Sequence, residues 1–274
     1  MPRFGGMGIT ADIATDWHAA LAALAWQVDL GVGDVVLDAP LNRYELAEPV
    51  KPPLPEAQRP VEAVVAPPPK AATSAAAIAA AETAAGNART LEDLREALAL
   101  YEHCELKRGA RNLVFADGNP KARLLILGEA PGREEDLEGR PFVGRAGQLL
   151  DRMFATIGLS RESPDPGKAL YITNVMPWRP PQNRDPSQDE IAMMRPFVQR
   201  HIALVDPEVV VVVGNTPMQA ALNITGILRQ RGHWAQAFGK PVLPMTHPAY
   251  LLRNPAAKRE AWADLLSLQA KLRG

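Results

Sequence analysis

The stretch Leu124–Gly147, LLILGEAPGREEDLEGRPFVGRAG, sets the reading of the whole chain. It opens on an apolar run, Leu124 to Leu127, of the length of one buried strand. Gly128-Glu129-Ala130-Pro131-Gly132 then breaks into a turn, where two glycines and a proline let the backbone bend sharply and approach a ligand. Glu134, Glu135 and Asp136 follow within reach of that turn. Arg140-Pro141-Phe142-Val143-Gly144 comes next, an aromatic held between backbone-restricting residues. In open α/β sheets ligands bind beyond the carboxyl ends of strands, which makes the turn a candidate site. An ordinary strand-to-helix connection has much the same composition.

Downstream, Ala146 to Ile157 patterns as a helix through Leu149, Leu150, Met153, Phe154 and Ile157, ending near Gly158. Leu170 to Val175 reads as a second strand carrying Thr173-Asn174, and Trp178 to Pro186, WRPPQNRDP, as a basic proline-rich loop. Ser187 is placed to cap a helix running to about Leu204. The five valines Val209 to Val213 make a buried strand, followed by a short helix around Thr216 to Leu222. Lys240 to Met245 is the next strand, with Thr246-His247-Pro248 at its end, and Lys258 to Leu272 is the closing helix. Strands alternating with helices predict an α/β fold with a parallel four-stranded central sheet flanked by helices on both faces. Glu129, Asn174 and His247 then all fall at carboxyl ends of strands.

Upstream, Thr90-Leu91-Glu92-Asp93 is a helix start, and Leu91, Leu94, Leu98 and Tyr101 give that helix an apolar face. Eight prolines between Pro49 and Pro69, then an alanine-rich tract from Ala71 to Ala85, predict a linker over 46–88 with little to bury. Asp12 to Val28 has amphipathic helical spacing (Trp17, Leu21, Leu24, Val28), either packing on the main domain or docking another protein. The expected organisation is an N-terminal extension over 1–45, the linker over 46–88 and a catalytic domain over 89–274.

Charge divides along the same line. Residues 1–103 carry 7 Lys+Arg against 14 Asp+Glu, a net of -7, and residues 104–274 carry 23 against 17, a net of +6. The basic half holds the fold-like patterning, which suits a polyanionic partner. The single cysteine, Cys104, excludes an intramolecular disulfide and a multi-cysteine metal site. The sequence shows no signal-peptide pattern and no apolar run near the roughly 20 residues of a membrane helix, so a soluble, cytoplasmic monomer without membrane contact is expected.

Five motifs, in order, resemble those of family 4 uracil-DNA glycosylases: Gly128-Glu129-Ala130-Pro131-Gly132; Gly139-Arg140-Pro141-Phe142-Val143-Gly144; Thr173-Asn174; Arg179-Pro180-Pro181-Gln182-Asn183-Arg184; and His247-Pro248-Ala249-Tyr250-Leu251-Leu252-Arg253. The match covers about 100–274. It implies the uracil-DNA glycosylase three-layer fold, uracil-containing DNA as partner, and monofunctional hydrolysis of the N-glycosidic bond to leave an abasic site. By this resemblance Phe142 stacks on a flipped base, Asn174 reads the base edge, and His247 donates to the oxyanion developing on uracil. Ala130 stands in the substrate site where better-known uracil glycosylases carry an aspartate. The water-positioning acid is then Glu135 or Glu129, with Glu134 and Asp136 left as solvated charges. Leu251 or Leu252 is the candidate wedge into the duplex, and Arg179, Arg184 and Arg253 are candidate phosphate contacts.

The family typically carries a four-cysteine iron–sulfur cluster. At its ligand positions this chain reads Tyr101, Cys104, Trp178 and Met194. A cubane needs about four thiolates, so no cofactor is expected, and the four side chains are expected to pack as a hydrophobic plug. Other classes stay open at this stage: a glycosylase for other deaminated bases, or a non-catalytic DNA-binding scaffold whose acidic N-terminal arm recruits a protein partner.

Overall fold

The computed structural model describes residues 70–273, and Leu21 ahead of them. Residues 70–273 lie in the compact unit Val65–Gly274. The helix expected over Asp12–Val28, apart from Leu21, and the proline stretch Pro49–Pro69 lie outside the described residues.

The four expected strands form the centre of the sheet. They are β2 (Leu124–Gly128), β3 (Leu170–Asn174), β4 (Val209–Val213) and β6 (Lys240–Met245), all parallel to their neighbours. Two short strands, β1 (Ala116–Gly118) and β5 (Ala235–Ala237), add one antiparallel edge each, so the order is β1-β3-β2-β4-β6-β5. The expected four-stranded sheet is therefore six-stranded. Each edge strand is only 3 residues long with no fully buried position, too short a pattern to stand out in the sequence.

Alternation within the strands builds two cores. Leu125, Leu127, Val210 and Val212 face one side; Leu124, Ile126, Val209, Val211 and Val213 face the other. The five valines of β4 are at most 2% exposed, and each such burial contributes about 2 kcal/mol. The first face is covered by α1 (Lys70–Asn87), α2 (Leu91–Leu100), α6 (Gln188–Val205) and α7 (Asn215–Leu222); the second by α5 (Arg145–Ala155) and α10 (Lys258–Arg273). Thr90 and Ser187 close capping boxes at the starts of α2 and α6, as their side chains suggested. No helix among the described residues is long and apolar enough to cross a membrane.

One expectation changes. The alanine tract placed in a linker over 46–88 forms the helix α1 and packs in the body: Ala77, Ala81, Ala85 and Ala88 are at most 3% exposed. Alanine has the highest helix propensity, and a stripe of methyl groups lets α1 approach α6 closely, so burial needs no large side chain. The Tyr101 hydroxyl donates to the Ala77 carbonyl at 2.7 Å, and the Arg200 guanidinium donates to the Ala88 carbonyl at 2.8 Å, pinning the helix at two points.

Candidate active site

From β2 the chain crosses to β3 on one side, and from β4 to β6 on the other. The switch point lies between β2 and β4, where such sheets leave a crevice at the carboxyl ends. A cleft of about 690 Å³ opens there, lined by Glu129, Glu135, Phe142, Asn174, Thr216 and His247, with Ala130, Arg184 and Arg253 also on its wall. Glu129, Ala130, Glu135, Phe142, Asn174, Arg184, His247 and Arg253, singled out far apart in the sequence, thus share one cavity, and Arg179, Leu251 and Leu252 do not line it.

Asn174 ends β3 and is 7% exposed. Its Oδ1 is buried and has no hydrogen-bond partner among the described residues. Leaving such an atom unpaired costs about 1–3 kcal/mol, which identifies it as an acceptor awaiting a donor. Gly128 makes the room: a Cβ there would meet Asn174 Oδ1 and lie 2.5 Å from Phe142 Cε2. Phe142 is buried, holds a left-handed backbone (φ 54) and stacks on the His247 ring at 5.6 Å and 29°.

His247 caps α9 (Pro248–Arg253), and its Nδ1 accepts the Ala249 N–H at 3.1 Å. A ring nitrogen that accepts carries no proton, so the neutral imidazole has its proton on Nε2. Burial, then the Arg253 charge, pull its pKa down to about 4, against an opposite pull from Glu135. At neutral pH His247 is an uncharged donor.

The two rival acids separate by their partners. Glu135, in α4 (Arg133–Glu138), accepts the Val143 and Gly144 N–H groups on Oε1, both at 3.1 Å. This ties the carboxylate to the loop bearing Phe142. Glu129 accepts the Thr216 hydroxyl at 2.7 Å on Oε2, bridging the switch point from β2 to α7. Burial raises the Glu129 pKa; the Thr216 hydrogen bond opposes this and the Asp185 charge adds to it.

Asp136 corrects an expectation. It is buried rather than solvated, and its Oδ1 accepts the Arg111 and Asn112 N–H groups at 2.8 and 3.1 Å. Those donors come from a loop more than twenty residues upstream, invisible to local pattern. Leu251 is likewise corrected as a duplex wedge: it is 0% exposed and packs with Leu149 and Ala261, whereas Leu252 is half-buried. Arg184 pairs its fork with Glu190 at 2.8 and 2.6 Å on the wall of the cleft. Arg179 donates to Asn183 Oδ1 at 2.8 Å, and Arg253 is exposed at the rim. Sequence reasoning passed over Thr216, whose only signal was its place at a helix start after β4.

Tyr101, Cys104, Trp178 and Met194 lie in one apolar cluster, each at most 5% exposed. Phe197 meets the Tyr101 ring edge-on at 5.2 Å. Burial pushes the Cys104 thiol up to about 11. One protonated thiol, a phenol, an indole and a thioether do not fit a cluster that needs about four thiolates. Among the described residues no group of three or more His, Cys, Asp or Glu is placed to hold a metal ion.

Comparison with known proteins agrees with this geometry. The family model of the uracil DNA glycosylase superfamily matches residues 115–266. The type-4 uracil-DNA glycosylase of Archaeoglobus fulgidus is 38% identical over 184 residues, covering 64% of this chain and 89% of that enzyme. Those of Saccharolobus solfataricus and Thermotoga maritima are 35% and 38% identical, covering 66% and 60% of this chain and 86% and 84% of theirs. With its sheet, its cleft and these relatives in agreement, the chain belongs to the uracil DNA glycosylase superfamily, in its type-4 branch.

Proposed function

We propose that this protein excises uracil from DNA by hydrolysing the N-glycosidic bond, leaving an abasic site with the strand intact. The observation that carries the reading is the orphaned Asn174 Oδ1 in the cleft beside Phe142. Uracil presents a ring N–H beside a carbonyl. A carboxamide accepts from the first through Oδ1 and donates to the second through Nδ2. The base is out of reach in the stack, so it is flipped into the cleft and lies against the Phe142 ring.

As the bond breaks, positive charge grows on the sugar and negative charge on the departing base. His247 Nε2–H donates to the carbonyl oxygen that takes up the negative charge. A neutral donor in a water-poor site suits this role, because it needs no reorganisation as the charge develops. Glu135 positions the attacking water and offsets the sugar cation. Its Oε1 is held by two backbone donors, which fixes the carboxylate geometry. Glu129 instead braces the crevice through Thr216, whose hydroxyl occupies one of its carboxylate oxygens. Leu252 is the wedge residue, and Arg179 and Arg253 meet phosphates.

We read the enzyme as cluster-free, the apolar plug holding the loop after β3 where relatives of the family use cysteines. The acidic residues 1–45 are read as an arm for a protein partner, on the amphipathic spacing of Asp12–Val28.

The test is a single-turnover assay on a uracil-containing oligonucleotide, with iron measured on the same sample. Alkali-sensitive product without iron is expected. Stoichiometric iron overturns the cluster-free reading; DNA binding without product on uracil moves the function to another base or to a scaffold.

A further inference from the structure

Phe142 sits in a backbone conformation that L residues rarely adopt and that persists only where the surroundings hold it. What holds it lies 19 residues further along the chain. The Arg161 side chain is 9% exposed, and all three of its guanidinium nitrogens are committed. Nη2 donates to the Phe142 carbonyl and Nη1 to the Pro141 carbonyl, both at 2.9 Å. Nε donates to Asp151 Oδ1 at 2.9 Å, and Nη1 to Asp117 Oδ2 at 3.0 Å. One cation thus gathers an acid from β1, an acid from α5 and the two carbonyls at the aromatic loop. From the other side, Gly147 closes on the same loop: a Cβ there would overlap the Phe142 carbonyl.

We propose that Arg161 is a positioning residue for excision, its guanidinium fixing the Phe142 backbone so that the ring meets the flipped base. The proposal rests on the uracil reading above. Its geometry requires arginine: a planar fork with five donors satisfies two carboxylates and two carbonyls at once, whereas a lysine ammonium presents three donors from a single point. Asp117 and Asp151 both pair with the cation, which retains it at low solvent exposure. The link is one-directional in the chain. Arg161 does not line the cleft, yet it is bonded to the carbonyl of a residue that does.

The experiment is a double-mutant cycle on the full chain, read by single-turnover excision of uracil from a single-stranded oligonucleotide. Arg161→Ala is expected to lower the rate by about 100-fold, the scale of a misplaced contact in an active site. Arg161→Lys recovers little of it, and added guanidinium restores more than added methylammonium does. In a Phe142→Ala background the Arg161→Ala change costs less than about 2-fold, because the ring it positions is gone. Should Arg161→Ala fail to fold, Asp151→Asn loosens one anchor at a half-exposed site, and its smaller loss must also vanish in the Phe142→Ala background. Equal losses in both backgrounds, or a wild-type rate in Arg161→Ala, overturn the positioning role while leaving the uracil reading intact. A wild-type protein inactive on uracil overturns that reading and this proposal with it.

Discussion

Asn174, at the end of β3, and Trp178, in the loop after it, are four residues apart and meet opposite demands. Asn174 ends β3 with a buried oxygen unpaired among the described residues, opening into a cleft. Trp178 is 3% exposed in a packed apolar cluster with Tyr101, Cys104 and Met194. Backbone bonds from Val175 N–H to Gly128 O and from Met176 N–H to Glu129 O, both 2.9 Å, lash the segment between them to the β2 turn. The difference separates two kinds of requirement. Recognition needs particular donors and acceptors at particular points, so the pocket keeps the residues of the family motifs. Cohesion needs volume and apolar contact, so one chemistry substitutes for another: an indole, a phenol and a thioether stand where the family pattern has thiolates.

The contrast breaks most readily at the plug. Trp178→Ala is expected to cost about 3–5 kcal/mol of stability, measured by chemical denaturation, with the excision rate per folded molecule near wild type. A rate loss without a stability loss would make the plug part of the site. In the pocket the pattern reverses. Asn174→Ala and His247→Ala each lower single-turnover excision by about 10²–10³-fold with melting little changed, and wild-type rates in both would sink the pocket assignment. Within the pocket, Glu135→Gln is expected to lose about 100-fold and Glu129→Gln markedly less; equal small losses would show that neither acid positions water.

A pH dependence runs through two buried histidines as well. His201, buried on α6 against Tyr171 and Phe115, is pulled down to about 3, and His247 to about 4, in each case first by burial. Both lie below the unfolded value of about 6.5, so as pH falls the unfolded chain binds protons first. Stability is therefore flat above about pH 6.5 and declines below it, by up to about 1.4 kcal/mol per pH unit for each histidine. Denaturation from about pH 7 to about pH 4 reads this slope, and His201→Phe should make it shallower. An unchanged slope would mean that His201 titrates normally in the fold. Excision should show no loss near pH 6.5, where an ordinary histidine takes up its proton, because His247 is held well below that value.

Much of the molecule was legible from local pattern. The four central strands, the helices capped by Thr90 and Ser187, and the placing of Glu129, Asn174 and His247 at strand ends all follow from periodicities of two and 3.6 and from capping chemistry. These are properties of residues within a few positions of one another, which is why a linear reading finds them. The alanine tract misled because low complexity resembles a linker; only the presence of α6 alongside gives its methyl stripe something to bury against.

What the tertiary structure alone decided is partnership across distance. It assigned Leu251 to the core and left Leu252 nearer the surface, although the two are adjacent and chemically identical. It bound Arg184 to Glu190, buried Asp136 under the amides of Arg111 and Asn112, gave Glu129 to Thr216, and brought Arg161 to the Phe142 carbonyl. The amino-acid sequence by itself determined the four central strands, the family and the identity of the polar groups at their ends, because periodicity and motif are local. Which acid is braced, which leucine is covered and what holds the aromatic depend on hydrogen bonds and packing between segments apart in the chain, and those exist only once the chain has folded.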